Sequence, residues 1–195
     1  IATKAQSVLE QITDHYILIG PDIHRGKEVP GFIEDSTLYR KLKDICHEKG
    51  VRIKVGRWDI VGSPVAVLVD FSYLYSQKDE ILKNLWLDFK VDSIAGQWDY
   101  IEPVLFGYAA GKLIETFVSI YCDKKHKVVA HFHEWMTASG GLYLKSIHAP
   151  VATAFTTHAT ILGRSIAGNH LPLYRDLEKF KPDTLATQFG ITAKH

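Results

Sequence analysis

Short, almost wholly apolar runs alternate along the chain with stretches whose apolar residues recur every three to four positions. That alternation predicts α/β organisation. Tyr16-Ile17-Leu18-Ile19, closed by Gly20-Pro21, reads as a buried strand, and Pro64 to Phe71 as a central one. Val51 to Val55 alternates with Arg52 and Lys54, which predicts a strand with one wetter face. Val128 to Phe132 and Val151 to Phe155 are two further strands, with a helix from about Glu134 to Ile147 between them. Other helices are predicted over Thr3 to Ile12, over Asp79 to Phe89, and around Leu38, Leu42 and Ile45, with Ser36 as N-cap and Gly50 as stop. From Glu102 to Cys122 the pattern is apolar on most faces, with Lys112, Glu115, Thr116 and Ser119 as a narrow polar stripe. Such a helix is covered on several sides. Gly140-Gly141 inside a helical stretch predicts close packing, and Asp22 to Asp35, with Pro30, is the connection expected to move most.

Composition narrows the class. A chain of 195 residues and 22.0 kDa should expose about 9,300 Å² folded against roughly 32,000 Å² unfolded, enough burial for one domain core without staples. Apolar residues at 46% and charged residues at 23% favour neither disorder nor a membrane protein. Net charge is +1, so no basic surplus points to nucleic acid. Two cysteines, Cys46 and Cys122, fit neither a disulfide framework nor a zinc site, and predict a reducing, cytoplasmic setting. The one methionine is Met136, and the chain opens at Ile1 inside a helical run, which predicts a piece of a longer protein.

In open parallel sheets the ligand crevice lies beyond the carboxyl ends of the strands. Two consecutive strands here end in polar clusters, His131-Phe132-His133-Glu134-Trp135 and Thr156-Thr157-His158-Ala159-Thr160, the latter running on through Gly163 to Arg164. If the strands are neighbours, Glu134, His158 and Arg164 converge on one crevice. Both clusters also run into helix starts, whose free N–H groups favour phosphate or carboxylate. No G-x-G-x-x-G, P-loop or G-x-S-x-G pattern occurs. One alternative is a metal-dependent hydrolase: alternation puts His131 and His133 on one face of a strand, and Glu134 or His158 would be the third ligand. Another is a non-catalytic nucleotide- or carbohydrate-binding module.

The block from Val128 to Trp135, the block from Phe155 to Arg164, and, in the expected order, Tyr16 to Pro21 and Gly56-Arg57-Trp58 resemble the amino-terminal domain of glycogen synthases of the fungal and animal type, glycosyltransferase family 3. The resemblance runs nearly end to end. It implies a Rossmann-like three-layer domain with a mainly parallel sheet, forming one part of a two-domain GT-B enzyme, and the short connecting segments and plain loops point to a bacterial member. It also implies a retaining transferase moving glucose from UDP-glucose or ADP-glucose to the non-reducing end of an α-1,4-glucan, with no cofactor and no essential metal. His158 and Arg164 carry over as donor-binding residues, Glu134 as an acidic residue facing the sugar and catalytic together with His158, and His133 as a further substrate contact. The implied partners are the sugar nucleotide and the glucan, with no nucleic acid or membrane, and further copies of the full-length protein in an oligomer. The family's K-V-G-G loop is expected just before Ile1 and its second domain well beyond His195, so these 195 residues alone are expected to be inactive.

Overall fold

A computed structural model describes residues 2–12, 15–24 and 27–191. Helix α1 (Ala2–Ile12) precedes strand β1 (Ile17–Pro21), and β2 (Phe32–Glu34) precedes α2 (Arg40–Glu48). Strands β3 (Ile53–Trp58) and β4 (Val65–Val69) are followed by a 3-10 segment (Ser72–Gln77), α3 (Lys78–Phe89) and the long α4 (Trp98–Tyr121). The chain continues through β5 (Val129–His133), α5 (Trp135–Ser146), β6 (Ala152–Thr156) and α6 (Ile161–Gly168), and ends in α7 (Pro182–Gln188).

The α/β class stands, but the single, mainly parallel sheet does not. One sheet has the order β1-β4-β3-β2, and a second pairs β5 with β6. The β1–β4 and β5–β6 pairings are parallel, whereas β3 runs antiparallel to both β4 and β2. The cause is the short connection between β3 and β4. Gly62 and Ser63 take positive φ there, and the Trp58 N–H donates to Pro64 O at 3.0 Å. Strands joined by so short a turn can only pair antiparallel. The β2–β3 pair needs Gly56, because a Cβ at that position would stand 2.1 Å from Ile33 O. Gly56-Arg57-Trp58 therefore builds this ribbon: Arg57 donates to Ser63 O at 3.0 Å, and Trp58 meets Phe32 edge to face.

Strand β4 is buried at every residue, as its uninterrupted apolar run requires for an interior strand. Strand β3 starts at Ile53, two residues later than predicted. Part of the connection expected to be most mobile, Asp22 to Asp35, forms β2, and residues 25–26 lie outside the described residues. Ser36 does not cap α2. Asp35 takes that part of the chain instead, its Oδ1 accepting from the Thr37 N–H at 2.7 Å and the Leu38 N–H at 3.2 Å. The helix starts after Tyr39, which is left-handed and makes no side-chain cap. A carboxylate out-competes the neighbouring hydroxyl for these donors because the bond is charge-assisted.

Helix α4 begins one turn earlier than predicted, at Trp98, and carries Pro103 within it. By length and composition it is long and apolar enough to cross a membrane. Here Leu105 and Leu113 are buried in the principal core with Leu42, Val55, Val67 and Leu85, which is the covered helix the pattern predicts. Its partner is α5. Gly107 and Gly111 of α4 lie against α5, where a Cβ on Gly140 would stand 2.4 Å from Gly107 O. Ser139 Oγ seals the crossing by donating to Val104 O at 2.6 Å.

Exposure departs from the scaling expectation. The chain exposes 12,949 Å², so it buries about 60% of its unfolded surface, not 70%. The second sheet contributes to this. With two strands it has a small core of Ala130, Phe132 and Leu144, and it leaves Val129 and Phe155 more than half exposed.

Candidate active site at the ends of two parallel strands

Strands β5 and β6 are neighbours in register, with His133 opposite Thr156, so the two polar clusters leave the sheet side by side. The Glu134 N–H donates to Thr156 O at 2.9 Å and extends the pairing by one step. Thr137 Oγ1 then donates to His133 O at 2.9 Å as the chain enters α5.

Three imidazoles line this edge. His131 and His133, two residues apart on β5, have ring centroids 4.1 Å apart, and His131 Nε2 lies 2.7 Å from Thr156 Oγ1. His133 Nδ1 lies 3.0 Å from His158 Nε2, and the two rings are near parallel, at 11° with centroids 5.3 Å apart. Burial, then the charges of His131 and His158, hold His133 below the ordinary imidazole range, and Lys4 of α1 adds to the same field. His133 prefers to be neutral in the folded chain, so the unfolded chain binds the proton more tightly. Its contribution to stability is complete above the unfolded value of about 6.5 and is lost as pH falls through the lower folded value. Replacing His133 by asparagine should flatten the decline in melting temperature between about pH 7.5 and about pH 5. An equally steep decline would show that His133 does not report this field.

Glu134 closes the cluster from the other side. Its Oε1 accepts the backbone N–H of His158 at 2.5 Å and that of Ala159 at 3.2 Å, and Thr157 Oγ1 donates to Oε2 at 3.4 Å. The His158 N–H bond above all holds the Glu134 carboxyl below the usual carboxylate range against the opposing effect of desolvation, with the Ala159 and Thr157 bonds adding to it. Its backbone is at φ 65° and ψ 163°, a region that is essentially glycine's and costs about 1–3 kcal/mol. The turn from 157 to 159 then passes into α6, whose N-cap Thr160 accepts the Gly163 N–H at 3.0 Å.

The structure thus brings Glu134, His133 and His158 together. Arg164 closes the first turn of α6, exposed, and its guanidinium makes no hydrogen bond or ion pair among the described residues. The ring of His158 is exposed but held by His133, and the carboxylate of Glu134 is held by the turn. Sequence reasoning missed the threonines. Thr156, Thr157 and Thr160 each fix a neighbour, and their only signal was the density of hydroxyls in Thr156-Thr157-His158-Ala159-Thr160. The metallohydrolase alternative gains no support. His131 turns to Thr156 and Glu134 to the backbone of the turn, and among the described residues no three His, Cys, Asp or Glu form a group able to hold a metal ion.

The family signature described as glycogen synthase matches residues 1–195, the whole chain. The chain belongs to the glycogen synthase family. It is 30% identical to a glycogen [starch] synthase of Dictyostelium discoideum over all of this chain and 22% of that protein. It is 31% identical to that of Neurospora crassa, over 98% of this chain and 27% of the relative. Against the liver glycogen [starch] synthase of Mus musculus the figures are 32%, 94% and 26%. The chain therefore spans about a quarter of the length of the curated relatives it matches.

Proposed function

We propose that this chain forms the sugar-facing wall of a retaining glucosyltransferase that extends an α-1,4-glucan at its non-reducing end, with a sugar nucleotide, UDP-glucose or ADP-glucose, as donor. What carries the reading is the coincidence of the two family blocks at one place. The blocks around Glu134 and His158 meet at the carboxyl ends of β5 and β6, where α/β folds bind ligands. A transferring glucosyl group develops oxocarbenium-like positive charge while the diphosphate departs with negative charge. In this reading His158, exposed on an anchored turn, orients the sugar. In this reading Arg164, a cation with no partner among the described residues, meets the phosphates. The rest of the cleft is assigned to a second Rossmann-like domain in a GT-B arrangement. No essential metal is assigned, since cationic side chains supply the charge. The two free thiols, Cys46 and Cys122, fit the reducing cytoplasm proposed as the compartment.

The test is incorporation of labelled glucose from UDP-glucose, and in parallel from ADP-glucose, into a glucan primer by the full-length protein. The expected product retains the anomeric configuration. Losing a charge-assisted contact in Arg164→Ala should raise the donor KM roughly tenfold. A full-length protein that transfers glucose from neither donor would overturn the reading.

A further inference from the structure

We propose that His133 is a positioning residue that fixes the ring of His158 through the Nδ1–Nε2 contact, and does not itself bind the sugar; this rests on the glucosyltransfer reading above. Four observations point the same way. The contact is short, at 3.0 Å, and the rings are stacked within 11°. His133 is the more buried of the two, at the end of a strand, whereas His158 stands exposed on the turn. The backbone of His158 is held separately by Glu134, so the only freedom left to the residue is rotation of its side chain. His131 backs His133 at 4.1 Å, so the His133 ring is itself braced from behind.

An exposed imidazole on an anchored turn would otherwise sample several rotamers. One hydrogen bond from a braced neighbour restricts the ring and commits its Nε2, leaving Nδ1 as the nitrogen free to meet a ligand. The titratable groups acting on His133 are His131 on its own strand, His158 across the strand pair and Lys4 from α1, while the Glu134 carboxylate is turned to the 157–159 turn. Those imidazoles and Lys4 disfavour a charged His133, so the pair is best served by a neutral partner that exchanges one hydrogen bond.

The test compares His133→Ala, His133→Asn and His133→Gln in the full-length protein. An asparagine amide reaches the place of Nδ1, whereas a glutamine amide reaches the place of Nε2. The alanine variant should lower kcat by at least about tenfold, because a misoriented group loses pre-paid orientation, with the donor KM within about threefold of the original. Asparagine should restore most of kcat and glutamine should not, with both variants melting alike. A readout independent of activity is the ring resonances of His158, which should move in the alanine variant toward those of an unrestrained imidazole and return in the asparagine one. Unchanged His158 resonances in His133→Ala, or equal rescue by asparagine and glutamine, would overturn the proposal. Resonances that move as expected in a protein showing no glucosyl transfer would support the pair and overturn the glucosyltransfer reading instead.

Discussion

Glu134→Ala in the full-length protein should lose glucosyl transfer by about two orders of magnitude, the size of effect that a displacement of roughly 1 Å at a reacting centre produces. The alanine removes the acceptor that holds the N–H groups of His158 and Ala159 and the hydroxyl of Thr157. It keeps the strained backbone, because alanine is no more at home at φ 65° and ψ 163° than glutamate is. A second variant separates the two effects. Glu134→Gly relieves the strain and should melt above Glu134→Ala, by the equivalent of about 1 kcal/mol or more, yet it should remain as inactive, since glycine offers no carboxylate. Recovery of transfer in the glycine variant would mean that the backbone conformation alone matters. Because the folded carboxyl is held low, the clamp's contribution to stability is present above the unfolded value of about 4.3 and is lost as pH falls through the folded one. Transfer near neutral pH should not vary on its account.

The largest stability effect is expected at the crossing of α4 and α5. Gly140→Ala places a methyl 2.4 Å from Gly107 O and 2.7 Å from Phe132 Cε1, so the helix backbones or the small second core must move apart. Overpacking of this kind costs about 1–3 kcal/mol and occasionally more, and the better helix propensity of alanine returns about 1 kcal/mol at most. A net loss of about 1–2 kcal/mol corresponds to a fall of roughly 2–8 °C in melting temperature for a domain of this size. Gly168, at the end of α6, is the control. A Cβ there meets nothing within 4 Å, so Gly168→Ala should melt at or slightly above the original temperature. Thermal unfolding of both variants at one pH decides the matter, and equal melting temperatures would show that the close approach is not needed. Phe132 links this crossing to the candidate site, since it lies on β5 one residue before His133.

Much of this could be read from residue order because it depends on local chemistry. The apolar run that became β4 admits little except an interior strand, and the apolar surround of α4 required cover on several sides. Gly140-Gly141 inside a helix announced a close approach, though not that Gly107 and Gly111 lay on the other side. The α2 cap was misplaced because two adjacent acceptors, Asp35 and Ser36, compete for the same donors, and only the path of the turn shows which of them points inward.

The site divided in the same way. Polar clusters at two strand ends named Glu134, His158 and Arg164 without any structure, because parallel neighbours deliver their carboxyl ends to one place, whereas His133 came from the family resemblance and from the alternative pairing with His131. Their roles were not legible. A carboxylate aimed at a sugar and a carboxylate wrapped by backbone N–H groups are written with the same letter, and which one exists depends on a φ of 65° that no pattern of apolar positions encodes.

Residue order by itself determined the α/β class, the principal strands and helices, and the two polar clusters, since each follows from side-chain period and type over a few neighbouring positions. Tertiary structure alone decided that the strands divide into two sheets, that β3 runs antiparallel, and that Glu134 grips the turn carrying His158 while His133 meets its ring. Those outcomes rest on contacts between residues apart in the chain, 8 to 16 positions for β3 with β4 and 24 and 25 positions for the two contacts at the site, whose geometry is set only when the strands pair.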